Sequence, residues 1–148
     1  MTTINDLKHF NITDKILHAF FKKVYPRLEY GFLEKVYENA LVGELRRMGL
    51  KVEQQVKIAV FYEGDVVGEY FADLLVENVV IIEIKAARSI LDEHAAQLLN
   101  YLRATPYEVG LLLNFGPKAE FRRKAFDNDR KPSITWEYVV CEDENRLP

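Results

Sequence analysis

Residues 79–85 read Val79-Val80-Ile81-Ile82-Glu83-Ile84-Lys85, four apolar residues that run into a carboxylate and a lysine. Uninterrupted apolarity from Val79 to Ile82 implies burial on both faces, the condition of a central strand sandwiched between helices. Side chains alternate along a strand, so Glu83 and Lys85 project to one side and Ile84 to the other. Asp73 precedes Glu83 by ten residues, inside Val66 to Val76, which also reads as a strand. Register decides whether the two acids meet. A two-residue turn at Glu77-Asn78 would pair Asp73 with Ile82 and leave it on the face opposite Glu83 and Lys85. An odd-membered loop centred on Asn78, or a bulge, sets Asp73 across from Glu83 and gathers Leu74, Val76, Val80, Ile82 and Ile84 on the other face as a core. The second arrangement is the expectation.

Working outward, the spacing of Ile16, Leu17, Phe20 and Val24 predicts a helix from Thr13 to Tyr25, with Thr13 or Asn11 as N-cap and Pro26 as its stop. A second helix is expected from Phe32 to Met48, with Leu33, Val36, Tyr37, Ala40, Leu41, Leu45 and Met48 as its buried stripe and Gly49 as its cap. Strands follow at Val56 to Tyr62, Val66 to Val76 and Val79 to Ala86, the first two joined by a turn at Glu63-Gly64-Asp65. Leu91 to Arg103 reads as a helix ended by Thr105-Pro106, and Tyr107 to Leu113 as another buried strand. Ala119 to Phe126 and Ile134 to Val140 are expected edge strands. The order α-α-β-β-β-α-β argues for a mixed α/β sheet covered by helices on both faces.

The 148 residues, 49% hydrophobic and 29% charged, suit a single domain over residues 1–148 with a substantial core. No apolar run approaches the roughly 20 residues needed to span a bilayer, and the first residues lack a signal pattern, so a cytoplasmic location without membrane attachment is expected. The lone Cys141 excludes an internal disulfide and a multi-thiolate zinc site, and His9, His18 and His94 are dispersed. A net charge of −3 argues against coating nucleic acid by electrostatics alone. Lys118, Arg122, Arg123 and Lys124 nevertheless form a local basic surplus that could follow a phosphate backbone or simply be a solvated face.

An unpaired carboxylate at Asp73, between Ala72 and Leu74, would cost several kcal/mol unless compensated, by a divalent cation or by a buried salt bridge to Lys85. Glu83 carries the same burden in a more apolar strand. If a hard cation such as Mg²⁺ is bound, Asp73, Glu83 and the Ile84 carbonyl are its candidate ligands, and Lys85 would orient the attacking water and offset charge. Glu34, in the first turn of its helix, either complements the helix dipole or reaches the sheet edge as a further ligand. Gln97, on the polar flank of its helix, either faces solvent or binds a phosphate or a metal-bound water. Tyr37 reads as packing, and His94 as a surface hydrogen-bonding group.

Three segments resemble one known family. Gly31-Phe32-Leu33-Glu34-Lys35-Val36-Tyr37 is similar to the signature of the GxxExxY proteins, and Glu38-Asn39-Ala40-Leu41 continues the likeness. Tyr70 to Lys85, with Asp73 and Glu83-Ile84-Lys85, resembles the core of the PD-(D/E)xK nucleases, and His94 to Leu102 and Leu111 to Gly116 look like the helix and strand that follow it. The chain departs from the family's pattern at Lys23-Val24-Tyr25 and Glu29-Tyr30-Gly31. The resemblance implies a restriction-endonuclease-like α/β fold and a Mg²⁺- or Mn²⁺-dependent nuclease. Catalytic Glu34, Asp73, Glu83, Lys85 and Gln97 and metal ligands Glu34, Asp73, Glu83 and Ile84 would then act on nucleic acid, with DNA the expected partner. A minimal nuclease that cuts two strands commonly acts as a homodimer. The alternative is a non-catalytic nucleic-acid-binding or protein-interaction module on the same fold.

Overall fold

The computed structural model describes residues 7–131. Helix α1 (Phe10–His18) continues through a π-helical segment, Ala19–Val24, into the short α2 (Tyr25–Leu28). Pro26 therefore does not stop the helix as expected. In the π segment the Tyr25 N–H bonds to Phe20 O, five residues back, and Pro26 falls in the first turn of α2, where its missing N–H costs little. Thr13 is no cap either. It lies buried inside α1, and its hydroxyl donates to Phe10 O.

Helix α3 (Glu34–Arg47) buries Tyr37, Leu41, Val42 and Leu45, while Leu33 is 81% exposed and Val36 also faces solvent. The buried stripe is turned from the expected one because Glu38 points inward, where Lys35, Gln54 and Gln55 all donate to its carboxylate. Gly49 follows α3 where a cap was expected.

Among the described residues, five strands form one sheet in sequence order: β1 (Val52–Tyr62), β2 (Asp65–Val76), β3 (Val80–Lys85), β4 (Val109–Phe115) and β5 (Ala119–Ala125). Of these described strands β3 and β4 alone run parallel, and α4 (Asp92–Arg103) makes the crossover that a parallel pair requires. Glu63 and Gly64, both with positive φ, make the two-residue turn between β1 and β2. Strand β1 begins at Val52, four residues before its expected start, because polar Gln54 and Gln55 hide it from an apolar pattern. Ile134 to Val140 and Cys141 lie outside the described residues.

The sheet is covered on both faces. Leu74, Val76, Val80, Ile82 and Ile84 face one layer with Ile16, Phe20, Tyr37, Leu41 and Leu45 of the N-terminal helices, the set expected from the odd-loop register. Leu98 and Leu102 of α4 pack on the other face against Ile58, Ala72, Leu75, Ile81 and Leu112. Each fully buried aliphatic side chain contributes about 1.5–3 kcal/mol, which is why a strand apolar on both faces takes the centre.

Candidate active site

The loop between β2 and β3 has three residues, Glu77-Asn78-Val79, so Val76 pairs with Val80 and Leu74 with Ile82. Glu77 and Asn78 adopt φ of 52° and 60°, and the Val79 N–H returns to Val76 O. The last ladder pair is Leu74 with Ile82, and just beyond it, at the open end of the hairpin, the Asp73 carboxylate lies near enough to Glu83 to act on its ionisation. There the Ile84 N–H donates to Asp73 Oδ2 at 2.7 Å instead of to a carbonyl. Leu75 and Ala72, three residues apart, both face α4, so strand alternation breaks at Asp73. Directly across in β1, Gln55 has φ of 52°.

The Glu83 carboxyl is strongly perturbed. Burial pushes its carboxyl up to about 8, with the nearby Asp73 and Glu34 carboxylates acting in the same direction and Lys85 and the Asp73 N–H against it. Its Oε1 is buried and has no hydrogen-bond partner among the described residues. The Tyr70 hydroxyl, on a ring stacked on Tyr101 with centroids 3.6 Å apart, is another buried oxygen without a hydrogen-bond partner among the described residues, and burial together with Glu83 raises its pKa. Among the described residues no group of three or more His, Cys, Asp or Glu side chains gathers to hold an ion. Two carboxylates still fit Mg²⁺, which keeps several waters and takes its remaining oxygens from substrate phosphate. The partnerless Glu83 oxygen beside a second carboxylate is the feature that fits a cation.

Three contacts fix the chain as it leaves β3. The Ala86 N–H donates to Glu34 Oε2 at 3.3 Å, which joins the start of α3 to the segment after Lys85. Asn114, fully buried in β4, accepts the Ala87 N–H at 2.9 Å and donates to Ala87 O at 3.0 Å. Gly116 lets these backbones approach, since a Cβ there would lie 2.1 Å from Ala87 O. Glu34 is itself aimed by the loop before α3: Gly31 sits at φ +125°, and the Tyr37 hydroxyl accepts the Phe32 N–H and donates to Glu29 O. Tyr37 also stacks on Phe115 with centroids 4.3 Å apart, in accord with its reading as a packing residue.

The remaining candidates lie apart. Gln97 is exposed on α4, and no hydrogen bond joins it to the carboxylates. His94 Nδ1 accepts the Leu91 N–H at 3.1 Å, the local role expected of it. Lys118 is exposed in the bend before β5, and Arg122 is exposed on β5. Arg123 points to the opposite face from Arg122 and Lys124, where it donates to Lys8 O at 2.7 Å. The basic run is thus split between two faces.

Sequence reading missed Gln55, Glu38 and Asn114. Gln55 Nε2 donates to Glu38 Oε1 at 3.0 Å and to Asp73 Oδ1 at 3.2 Å, which connects α3 to the site. The available signal was polarity in the wrong place: two glutamines where β1 should alternate, and one asparagine in the apolar run Leu111-Leu112-Leu113-Asn114-Phe115.

No curated protein matches this chain. One similar solved structure is described as the crystal structure of SSO0001, 23% identical, with a TM-score of 0.48 over 77% of this chain and 58% of that one. The chain thus spans a little over half of that neighbour's length. Residues 11–124 match the PD-(D/E)XK nuclease superfamily, a span that covers the fold from α1 to β5 but for one residue at each end and takes in every carboxylate described above. The five-stranded mixed sheet with helices on both faces is the restriction-endonuclease-like α/β fold, and the chain belongs to the PD-(D/E)XK nuclease superfamily.

Proposed function

We propose that this chain is a metal-dependent nuclease that hydrolyses phosphodiester bonds of nucleic acid, with DNA as its substrate class, acting as one nuclease domain. The observation that carries the reading is the buried, partnerless Glu83 Oε1 beside Asp73, on the strand that also bears Lys85. Asp73 and Glu83, with the Ile84 carbonyl, would hold Mg²⁺ or Mn²⁺, with Glu34 as a further ligand. Such an ion, when bound, supplies a Lewis acid that offsets charge on the scissile phosphate and eases deprotonation of the attacking water. Lys85 donates to the attacking water or a non-bridging oxygen and stabilises the charge that develops there. Gln97, on the helix covering this face, orients the phosphate. Within the superfamily, Gly31 to Tyr37 supports a place among the GxxExxY proteins. Cutting both strands of a duplex with one site per chain calls for a homodimer.

The reading assigns different tasks to neighbouring residues, and calorimetry combined with a cleavage assay separates them. Glu83→Ala is expected to lose both Mn²⁺ binding and cleavage. Lys85→Ala is expected to keep the ion and lose about 10²–10³-fold in rate, because an ammonium is not a ligand but does stabilise the transition state. Equal loss of ion affinity in both variants would overturn that division. A wild-type chain that binds nucleic acid and Mn²⁺ yet cleaves nothing would support the non-catalytic module instead.

A further inference from the structure

We infer that Gln55 is a positioning residue that aims the Asp73 carboxylate, with Glu38 as the anchor that aims Gln55. The inference rests on the proposed metal-dependent activity and deepens it. Gln55 has φ of 52°, a left-handed conformation that non-glycine residues seldom adopt inside a strand. The ladder keeps one register across it, Gln54 with Leu74 and Val56 with Ala72, so the reversal does not correct the pairing. What it changes is direction. Successive strand residues normally point to opposite faces, yet Gln54 and Gln55 both reach Glu38.

The amide then bridges two carboxylates. One N–H of Gln55 Nε2 goes to Glu38 Oε1 at 3.0 Å and the other to Asp73 Oδ1 at 3.2 Å. Asp73 Oδ2 meanwhile accepts the Ile84 N–H at 2.7 Å. The torsion that turns a carboxylate plane is soft, so a donor on each oxygen is what fixes it. An –NH₂ group is suited to this place: it is neutral and carries two donors, whereas a hydroxyl has one and a carboxylate none. Glu38, 4% exposed, is held in turn by Lys35 at 3.0 Å and Gln54 at 2.8 Å. A run of contacts thus leads from α3 through β1 to Asp73, and residues of this kind behind a ligand set its orientation. Backbone strain kept at such a place fits a functional constraint.

The same reversal turns Val56 and Ile58 toward α4, so the backbone conformation also serves packing. The side chain can be tested apart from it. Gln55→Gly preserves the left-handed backbone without strain and removes the amide; Gln55→Asn tolerates that backbone but is one methylene too short to bridge. Mn²⁺ titration by calorimetry and thermal melting in EDTA, on the full chain, provide two readouts. Both variants are expected to melt within a few degrees of wild type and to bind Mn²⁺ at least about tenfold more weakly. Unchanged Mn²⁺ affinity in the two variants, with or without a change in melting temperature, would make the side chain merely structural and overturn the inference alone. A folded wild-type chain that binds no Mn²⁺ would overturn the proposed function, and this inference with it.

Discussion

Burial raises the Glu83 carboxyl to about 8, and the direction of that shift sets how the ion-free protein responds to pH. An unfolded glutamate ionises near 4.5, so between about 4.5 and 8 the unfolded chain releases a proton that the folded chain retains. The stabilisation from neutral, buried Glu83 is therefore full below pH 4.5 and lost as pH rises through 8. Its slope approaches about 1.4 kcal/mol per pH unit inside that window. Urea unfolding in EDTA from pH 4 to 9 is expected to show stability falling across the window in wild type and a flatter profile in Glu83→Gln, which stays neutral throughout. A wild-type profile that rises from pH 5 to 8 and is unchanged by Glu83→Gln would contradict it. At neutral pH, ion binding should also release close to one proton from this group, visible as a dependence of the calorimetric heat on the buffer.

The β2–β3 hairpin is the element on which the site depends. Its loop is tied to the connection before β1: the Glu77 N–H donates to Lys51 O at 2.9 Å, and Glu77 Oε2 accepts the Lys51 N–H at 2.6 Å. Deleting Asn78 would leave a two-residue turn, slip the pairing by one residue and carry Asp73 to the opposite face. Loss of Mn²⁺ binding together with a drop in melting temperature on the order of 10 °C is expected, since Leu74 and Val76 would leave the core as well. Asn78→Gly, which keeps the loop length and the positive φ, should retain both properties. A deletion variant that binds Mn²⁺ normally would show that register is not what assembles the site. In the N-terminal helix, too, the element overrides the residue. Pro26 reads as a terminator by its own chemistry, yet a π-helical turn before it lets the backbone continue.

Across the whole molecule, charge is arranged rather than abundant. Glu83 pairs laterally with Leu112 and Leu112 with Arg122, so Arg122 stands level with the site, about 10 Å away at about 4.8 Å per strand, and on the same face. Lys124 shares that face, while Arg123 is tied to Lys8 on the other. Binding to a short DNA duplex, followed by fluorescence anisotropy at rising salt, is expected to weaken along a log–log line. Replacing Arg122 and Lys124 together by serine should make that line shallower by about 2, since each phosphate left without its cation removes about 0.9 from the slope. Arg123→Ser should leave the slope as it is. A shallower line for Arg123→Ser alone would assign the interface to the opposite face.

The three-residue loop of the fold chose between the two registers that the sequence left open. The sequence by itself determined the central strand, the face that Leu74 and Val76 share on one strand and the face that Val80, Ile82 and Ile84 share on the next. Those properties follow from local apolarity and the period of two, which are written residue by residue. Only the tertiary structure decided that Glu38 turns inward, that Gln55 reverses its backbone to bridge Glu38 and Asp73, that Asn114 clamps Ala87, and that Arg123 bonds to Lys8 O. Each of these joins residues 16 or more positions apart through hydrogen bonds whose partners no local pattern names. A polar side chain in an apolar run announces that it needs a partner, and the fold alone supplies it.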